Sequence, residues 1–190
     1  MTETQAFLDR HGFGKATRTR LAGDASARRY ERLSGGPRPA ILMHSPPQIG
    51  VEPFLTVADW LRRRRKSAPE IIAADAKTGQ VLLEDLGDGL FSRVLAGGGD
   101  ETLLYGAAVD LLVSLQSCPP PDNLPAYDDA WLLREAELLT EWYAPDAAAD
   151  EYRAIWQELL PAARVGAPGV VYVDYHADNL LWLPERAGHA

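Results

Sequence analysis

Val-Val-Tyr-Val-Asp-Tyr-His-Ala-Asp-Asn-Leu-Leu-Trp, residues 170–182, is the stretch that decides how the whole chain is interpreted. An apolar, largely β-branched run leads into a polar segment, and a second apolar run follows over residues 180–183. This order predicts a strand, a polar loop and a second strand. The loop contains Asp174, His176, Asp178 and Asn179, so one short segment carries four polar side chains that could take part in chemistry.

The spacing inside this loop matters because four residues separate Asp174 from Asn179. In kinase-type phosphoryl transfer, the Asp of a D-x-x-x-x-N loop accepts the proton of the attacking hydroxyl. The Asn of that loop holds a metal ion on the nucleotide phosphates. The alternative is a turn beside a strand, in which the Asp and Asn side chains only bond their own backbone. The spacing alone leaves both interpretations open.

Composition and charge exclude several classes of protein. The chain has 190 residues and is 46% hydrophobic, enough for a sizeable core in one or two small domains. Its net charge of -8 argues against a nucleic-acid binder, because phosphate contacts need an excess of Lys and Arg. The single Cys118 excludes an internal disulfide and a C-x-x-C metal pair. With no membrane-spanning run and no signal-like N-terminus, a cytoplasmic location without a membrane partner is the expectation.

Local patterns predict a β-rich first half and a helical second half. The elements expected before Gly87 are an opening helix from residue 2 to about 12, strands within 17–33 and 39–44, an amphipathic helix over 52–66 and a hairpin over 71–86. The helices expected after Gly87 cover residues 90–95, 101–116, about 128–143 and about 146–160. The predicted class is therefore α+β and bilobal, with a nucleotide-binding N-lobe over 1–87 and a helical C-lobe over 88–190 that carries the catalytic loop. Nucleotide-binding sites often lie in the cleft between two such lobes.

Two further segments are candidates for nucleotide contacts. The first consists of four small residues, Gly23, Asp24, Ala25 and Ser26. Their backbone N–H groups could lie over phosphates, although an ordinary hairpin loop has the same composition. The second consists of Glu84, Asp85 and Leu86, which could form a hinge whose backbone meets an adenine edge. A plain domain linker fits that second segment equally well.

Other side chains support weaker alternatives. Asp174, His176 and Asp178 occupy alternate positions, so they could share one face as metal ligands of a hydrolase. Trp142 and Tyr143 could stack on a sugar ring, whereas aromatic residues at a helix end usually belong to the core.

Five blocks, in this order along the chain, resemble the aminoglycoside phosphotransferase family. They are Gly-Asp-Ala-Ser-Ala-Arg-Arg-Tyr at 23–30, Met-His-Ser-Pro-Pro at 43–47, Leu-Leu-Glu-Asp-Leu-Gly at 82–87, Glu-Trp-Tyr at 141–143 and Asp-Tyr-His-Ala-Asp-Asn-Leu-Leu-Trp at 174–182. Within the family, the chain is most similar to the anomeric sugar kinases that act on N-acetylmuramate and N-acetylglucosamine. The resemblance implies a protein-kinase-like fold, ATP with Mg²⁺, and phosphorylation of a sugar hydroxyl in cell-wall recycling.

The resemblance also assigns roles by position. Asp174 matches the catalytic Asp and Asn179 the metal-binding Asn. Residues 23–26 match the loop above the phosphates, and residues 84–86 match the adenine hinge.

Three departures from the family pattern qualify this assignment. Val173 precedes Asp174 where kinase-like loops often have Arg, and Met43 stands where a phosphate-pairing Lys is expected, with Arg28 or Arg29 as conceivable substitutes. A second metal-binding Asp, in an Asp-Phe-Gly-like segment, does not occur before Ala190, so the expectation is a fragment with an incomplete helical C-lobe. The alternative function is a non-catalytic nucleotide-binding or interaction module of the same fold.

Overall fold

The computed structural model describes residues 2–22, 26–163 and 169–186. Its elements, in chain order, are α1 (Glu3–Arg10), β1 (Thr17–Arg20), β2 (Arg29–Ser34), β3 (Ala40–His44), α2 (Glu52–Arg63), β4 (Ile71–Asp75), β5 (Gln80–Glu84), α3 (Phe91–Ala96), α4 (Glu101–Gln116), α5 (Asp129–Leu138), a π-helical turn (Leu139–Tyr143) and α6 (Ala149–Ala163). The sheet strands come first and most helices follow, which confirms the predicted α+β class. This order is consistent with a kinase-like N-lobe and part of a C-lobe.

The five strands form one antiparallel sheet in the order β1-β2-β3-β5-β4. The central strand β3 pairs on both sides, so that Leu42 lies opposite Glu31 of β2 and Leu82 of β5. The pairing of β4 with β5 shifts between Ile71 and Ala73. The predicted hairpins are therefore confirmed, and β5 leads directly into the candidate hinge.

Each face of the sheet is covered by one helix. Phe7 and Leu8 of α1 pack with Leu33, Leu42 and Leu82 on one face, where all five side chains are buried. On the other face, a second buried cluster joins strands and helix α2: Ile41, Met43, Val51, Val81 and Leu83, with Phe54 and Leu55 of α2 packed against them. Burying each such side chain contributes about 1.5–3 kcal/mol. Both faces of β3 and β5 are buried, which is why residues 40–43 and 81–83 are apolar without interruption.

Gly79 shows how closely the β4–β5 turn approaches the rest of the sheet. Its φ is +67°, and a Cβ atom at this position would lie 2.1 Å from the backbone oxygen of Ser45. Its own carbonyl accepts a hydrogen bond of 2.8 Å from the Ser45 N–H. Only glycine combines this backbone conformation with this contact.

The helical half agrees with the predicted periodicity in most places. The periodicity of α4 predicts one apolar side made of Leu104, Ala108, Leu111 and Leu115, and all of these are buried except Leu111, which is half-buried. The helix expected to reach Tyr143 instead ends its α-helical part at Leu138 and continues as the π-helical turn. The end predicted near Gly166 and Pro168 lies outside the described residues.

The chain divides into two compact units, which differ from the predicted lobes. One unit contains Met1–Ser114 together with Asp174–Ala190, and the other contains Leu115–Val173. The loop that begins at Asp174 thus belongs to the same unit as the sheet. The division of the chain into two lobes at Gly87 stays a prediction.

The predicted strand pair around the loop is wrong. Residues 170–173 form no strand, and Val173 is exposed. The second apolar run makes a single bridge, between Leu181 and Leu90. The bridge stays isolated because the chain turns into α3 at Phe91, directly after Leu90, which leaves no straight partner for a longer ladder. None of the described helices is both long enough and apolar enough to cross a bilayer.

Candidate functional site

Asn179 and Asp174 contact each other directly. The side-chain amide nitrogen of Asn179 donates to the backbone oxygen of Asp174 at 2.9 Å and to its Oδ2 at 2.8 Å. The backbone N–H of Asn179 donates to the carbonyl of His176 at 2.9 Å and closes the bend. The turn interpretation considered only bonds to the backbone, whereas this amide also contacts the Asp174 carboxylate.

These bonds also orient the Asn179 amide. An amide NH₂ group has two hydrogens, and the two oxygens of Asp174 use both of them. The Asn179 Oδ1 atom is therefore directed away from Asp174 and is the atom available to a metal ion. The Asp174 side chain is 76% exposed, so its carboxylate remains accessible to a substrate.

His176 lies between the two acidic side chains of the loop. Its Nε2 is 3.1 Å from Asp174 Oδ1, while its Nδ1 is 3.9 Å from Asp178 Oδ2. The two carboxylates thus face different ring nitrogens and do not converge on one point. In the part of the chain that the structure describes, no group of three His, Cys, Asp or Glu side chains is arranged to hold a metal ion. The alternative of a metal-dependent hydrolase built on these three residues is not supported.

The inward side chains of the loop anchor it to the helices. Tyr175 and Ala177 pack against a buried cluster that includes Phe91 and Leu104. The Tyr175 hydroxyl donates to the backbone oxygen of Ala108 at 2.9 Å, and burial raises the pKa of this phenol, which keeps it a neutral donor. Tyr175 and Ala177 therefore hold the loop in place, while Asp174 and His176 remain exposed.

The candidate hinge is held by an arginine that the sequence patterns did not single out. Arg32 of β2 lies 2.8 Å from Asp85 Oδ2 through its Nε, and its Nη1 donates to Asp88 Oδ2 at 2.8 Å. The Gly87 N–H donates to Asp85 Oδ1 at 2.9 Å. The Asp85 carboxylate, only 9% exposed, is committed to these partners, which leaves the backbone of the segment as its possible contact with a ligand.

Glu84 is bound by a second arginine, which comes from the far end of the chain. Arg186 donates to both carboxylate oxygens of Glu84, at 2.9 and 3.0 Å, and the Glu70 N–H donates to Oε2 at 3.0 Å. Burial raises the pKa of Glu84, but the hydrogen bonds from Arg186 and Glu70 outweigh it and leave that pKa below its ordinary value. No sequence signal could have found this pair, because 102 residues separate its members.

The remaining candidates are only partly described. Gly23, Asp24 and Ala25 lie outside the described residues, and Ser26 Oγ accepts a hydrogen bond from the Arg28 N–H at 3.2 Å. The Arg28 guanidinium lies 5.7 Å from the centre of the Phe54 ring, and Met43 is fully buried.

The two aromatic residues of the π-helical turn do not join a core. Trp142 is 77% exposed and Tyr143 is 87% exposed. The expectation that they are core residues is wrong for this chain, and their stacking on a sugar remains a prediction.

Residues 17–189 match the phosphotransferase enzyme family, APH, and the chain belongs to that family. It is similar to the N-acetylmuramate/N-acetylglucosamine kinase of Caulobacter vibrioides, at 36% identity over 97% of this chain and 63% of the relative. It is also similar to proteins of the same description from Pseudomonas aeruginosa, at 37% identity over 84% of this chain, and Pseudomonas putida, at 34% over 86%. The chain spans 50% of each Pseudomonas relative, so it matches about half to two thirds of the length of these proteins.

Proposed function

We propose that this chain is the nucleotide-binding part of a kinase that transfers a phosphoryl group from ATP to a hydroxyl of an amino sugar. N-acetylmuramate and N-acetylglucosamine are the proposed acceptors, because the relatives are described as kinases of these sugars. The observation that carries the proposal is the direct contact between Asp174 and Asn179 in a loop with kinase-type spacing. A role in cell-wall recycling in the cytoplasm is part of the same proposal.

Asp174 is the proposed general base. The sugar hydroxyl oxygen attacks the γ-phosphorus, its proton passes to the Asp174 carboxylate, and the bond from the γ-phosphorus to its bridging oxygen breaks to release ADP. A carboxylate that is exposed and held in the bend by a hydrogen bond from Asn179 suits this role, since a hydroxyl can reach it.

Asn179 is the proposed metal ligand. Its Oδ1 is a hard oxygen donor, and Mg²⁺ in kinase sites takes one or two protein oxygens in addition to phosphate oxygens and water. The donor chemistry of the loop therefore fits Mg²⁺, as kinases of this family use ATP and Mg²⁺ in general. When bound, this ion would neutralise charge on the phosphates.

The nucleotide contacts are also proposals. Residues 23–26 would lie above the phosphates, with backbone N–H groups as donors. The backbone of residues 84–86 would meet the adenine edge. The fixed Asp85 and Glu84 side chains support this, because both carboxylates are used within the protein and hold the segment in one conformation.

A non-catalytic nucleotide-binding module is the second candidate. It is favoured by Met43, which stands where a phosphate-pairing Lys is expected, is fully buried and offers no charge to a phosphate. Such a module would bind ATP without turnover.

The deciding experiment offers radiolabelled ATP to the full-length protein with N-acetylmuramate, N-acetylglucosamine or kanamycin as acceptor. We expect transfer to one of the two amino sugars. Asp174→Asn should lower turnover by roughly 10²–10⁴-fold while ATP binding persists. The matched control is Asp178→Asn, which removes another exposed carboxylate from the same loop and should leave turnover nearly unchanged. ATP binding without transfer to any acceptor would establish the module instead.

A further inference from the structure

His176 contacts three other residues of the candidate loop, Asp174, Asp178 and Asn179. Its Nε2 lies 3.1 Å from Asp174 Oδ1, and its Nδ1 lies 3.4 Å from the backbone nitrogen of Asp178. Its carbonyl accepts the Asn179 N–H. The ring therefore touches the proposed base on one edge and the loop backbone on the other.

One hydrogen bond of the ring is compatible with a neutral His176 that carries its proton on Nε2. The Asp178 N–H is a donor, so the Nδ1 that faces it is the acceptor and the proton of the neutral ring is on Nε2. Asn179 Nδ2 is also 3.1 Å from Nε2, but both of its hydrogens are directed to Asp174. With the proton on Nε2, this nitrogen lies 3.1 Å from Asp174 Oδ1.

We propose that His176 is a positioning residue, whose Nε2–H group fixes the orientation of the Asp174 carboxylate. This rests on the proposed function, in which Asp174 is the base. Asn179 donates to Oδ2 at 2.8 Å, and the His176 Nε2 lies 3.1 Å from Oδ1, so a different nitrogen faces each oxygen of the carboxylate. With one donor alone, an exposed carboxylate could rotate about that single hydrogen bond.

The residue before Asp174 cannot position its carboxylate. Where many kinase-like loops have a basic residue directly before the Asp, this chain has Val173, which is 65% exposed and has no donor on its side chain. His176 supplies a donor from the other side of Asp174, within the same bend. A misplacement of about 1 Å in a reacting group can cost about 100-fold in rate, so the missing donor should lower kcat by roughly 10–100-fold.

Two substitutions separate positioning from loop support. Gln at position 176 keeps an N–H donor near the place of Nε2 but loses the acceptor for the Asp178 N–H. Asn is shorter, so it keeps a polar atom near the place of Nδ1 and cannot reach Asp174. Positioning predicts that His176→Gln retains most of kcat and that His176→Asn loses about as much as His176→Met.

The experiment measures kcat and the KM for ATP in the full-length protein, with thermal unfolding to verify folding. We expect His176→Met and His176→Asn to lower kcat with an unchanged KM for ATP, and His176→Gln to restore it. The reverse order, with Asn active and Gln inactive, or an unchanged kcat in His176→Met, would overturn the inference. Asp174→Asn is measured in parallel: if it has no effect, the proposed function fails, whereas a loss in Asp174→Asn without one in His176→Met refutes only the role of His176.

Discussion

Replacing Arg186 with Met should remove the tie between Glu84 and the segment that follows the loop of Asp174. The side chains of Arg186 and Glu84 are 28% and 30% exposed, so water screens their pair only in part. A hydrogen bond to a charged group contributes about 1.5–3 kcal/mol, and two bonds that share one partly exposed pair should together contribute about 2 kcal/mol. At about 2–4 °C per kcal/mol for a chain of this size, the melting temperature should fall by roughly 4–8 °C.

The effect should also depend on pH in a defined direction. The pKa of Glu84 is below its ordinary value of 4.5, since its hydrogen bonds with Arg186 and Glu70 outweigh burial. A carboxylate with a depressed pKa stabilises the fold above its unfolded pKa, and this contribution is lost as pH falls through the folded pKa. The difference between the wild type and Arg186→Met should therefore be full at pH 7 and shrink once the pH drops below about 4.5.

Thermal unfolding followed by tryptophan fluorescence measures both effects. Arg38→Met is the matched control, because Arg38 pairs with Glu70 at the surface, where both side chains are more than 40% exposed. An exposed pair contributes about 0–1 kcal/mol, so this variant should be nearly as stable as the wild type. The reasoning is refuted if the two variants lose the same stability, or if the loss in Arg186→Met persists undiminished at acid pH.

The other predictions concern the β4–β5 turn and the hinge. Gly79→Ala should destabilise the protein by more than about 2 kcal/mol in urea unfolding, because its Cβ would meet the Ser45 backbone. Gly35→Ala, with a similar φ of +77° and no atom within 4 Å of its Cβ, should cost only about 1 kcal/mol, and equal losses would contradict this explanation. Arg32→Met should weaken ATP binding about tenfold in calorimetry by releasing Asp85, whereas Arg93→Met, which loses only an exposed contact with Asp88, should not. If the two variants bind ATP with identical affinity, Arg32 does not hold the hinge in its binding conformation.

Local sequence patterns predicted most of the secondary structure in both halves. Turn residues between apolar runs predicted the hairpins of the sheet, and helix α4 begins and ends at the predicted residues, Glu101 and Gln116. These features depend on neighbours a few positions apart, whose periodicity is visible in the chain itself. The pattern was misleading around residues 170–183, because an apolar β-branched run becomes a strand only where another segment is available to pair with it.

The family and the positions of Asp174 and Asn179 follow from the sequence, since a spacing of five residues places both in one bend. The sequence did not determine which atoms meet. Only the tertiary structure brought Arg32 to Asp85 and Arg186 to Glu84, over 53 and 102 residues, and turned the His176 ring towards Asp174. The physical reason is that motifs record short-range spacing along the chain, whereas hydrogen bonds and ion pairs depend on distances that the packing of the sheet, helices and loop creates.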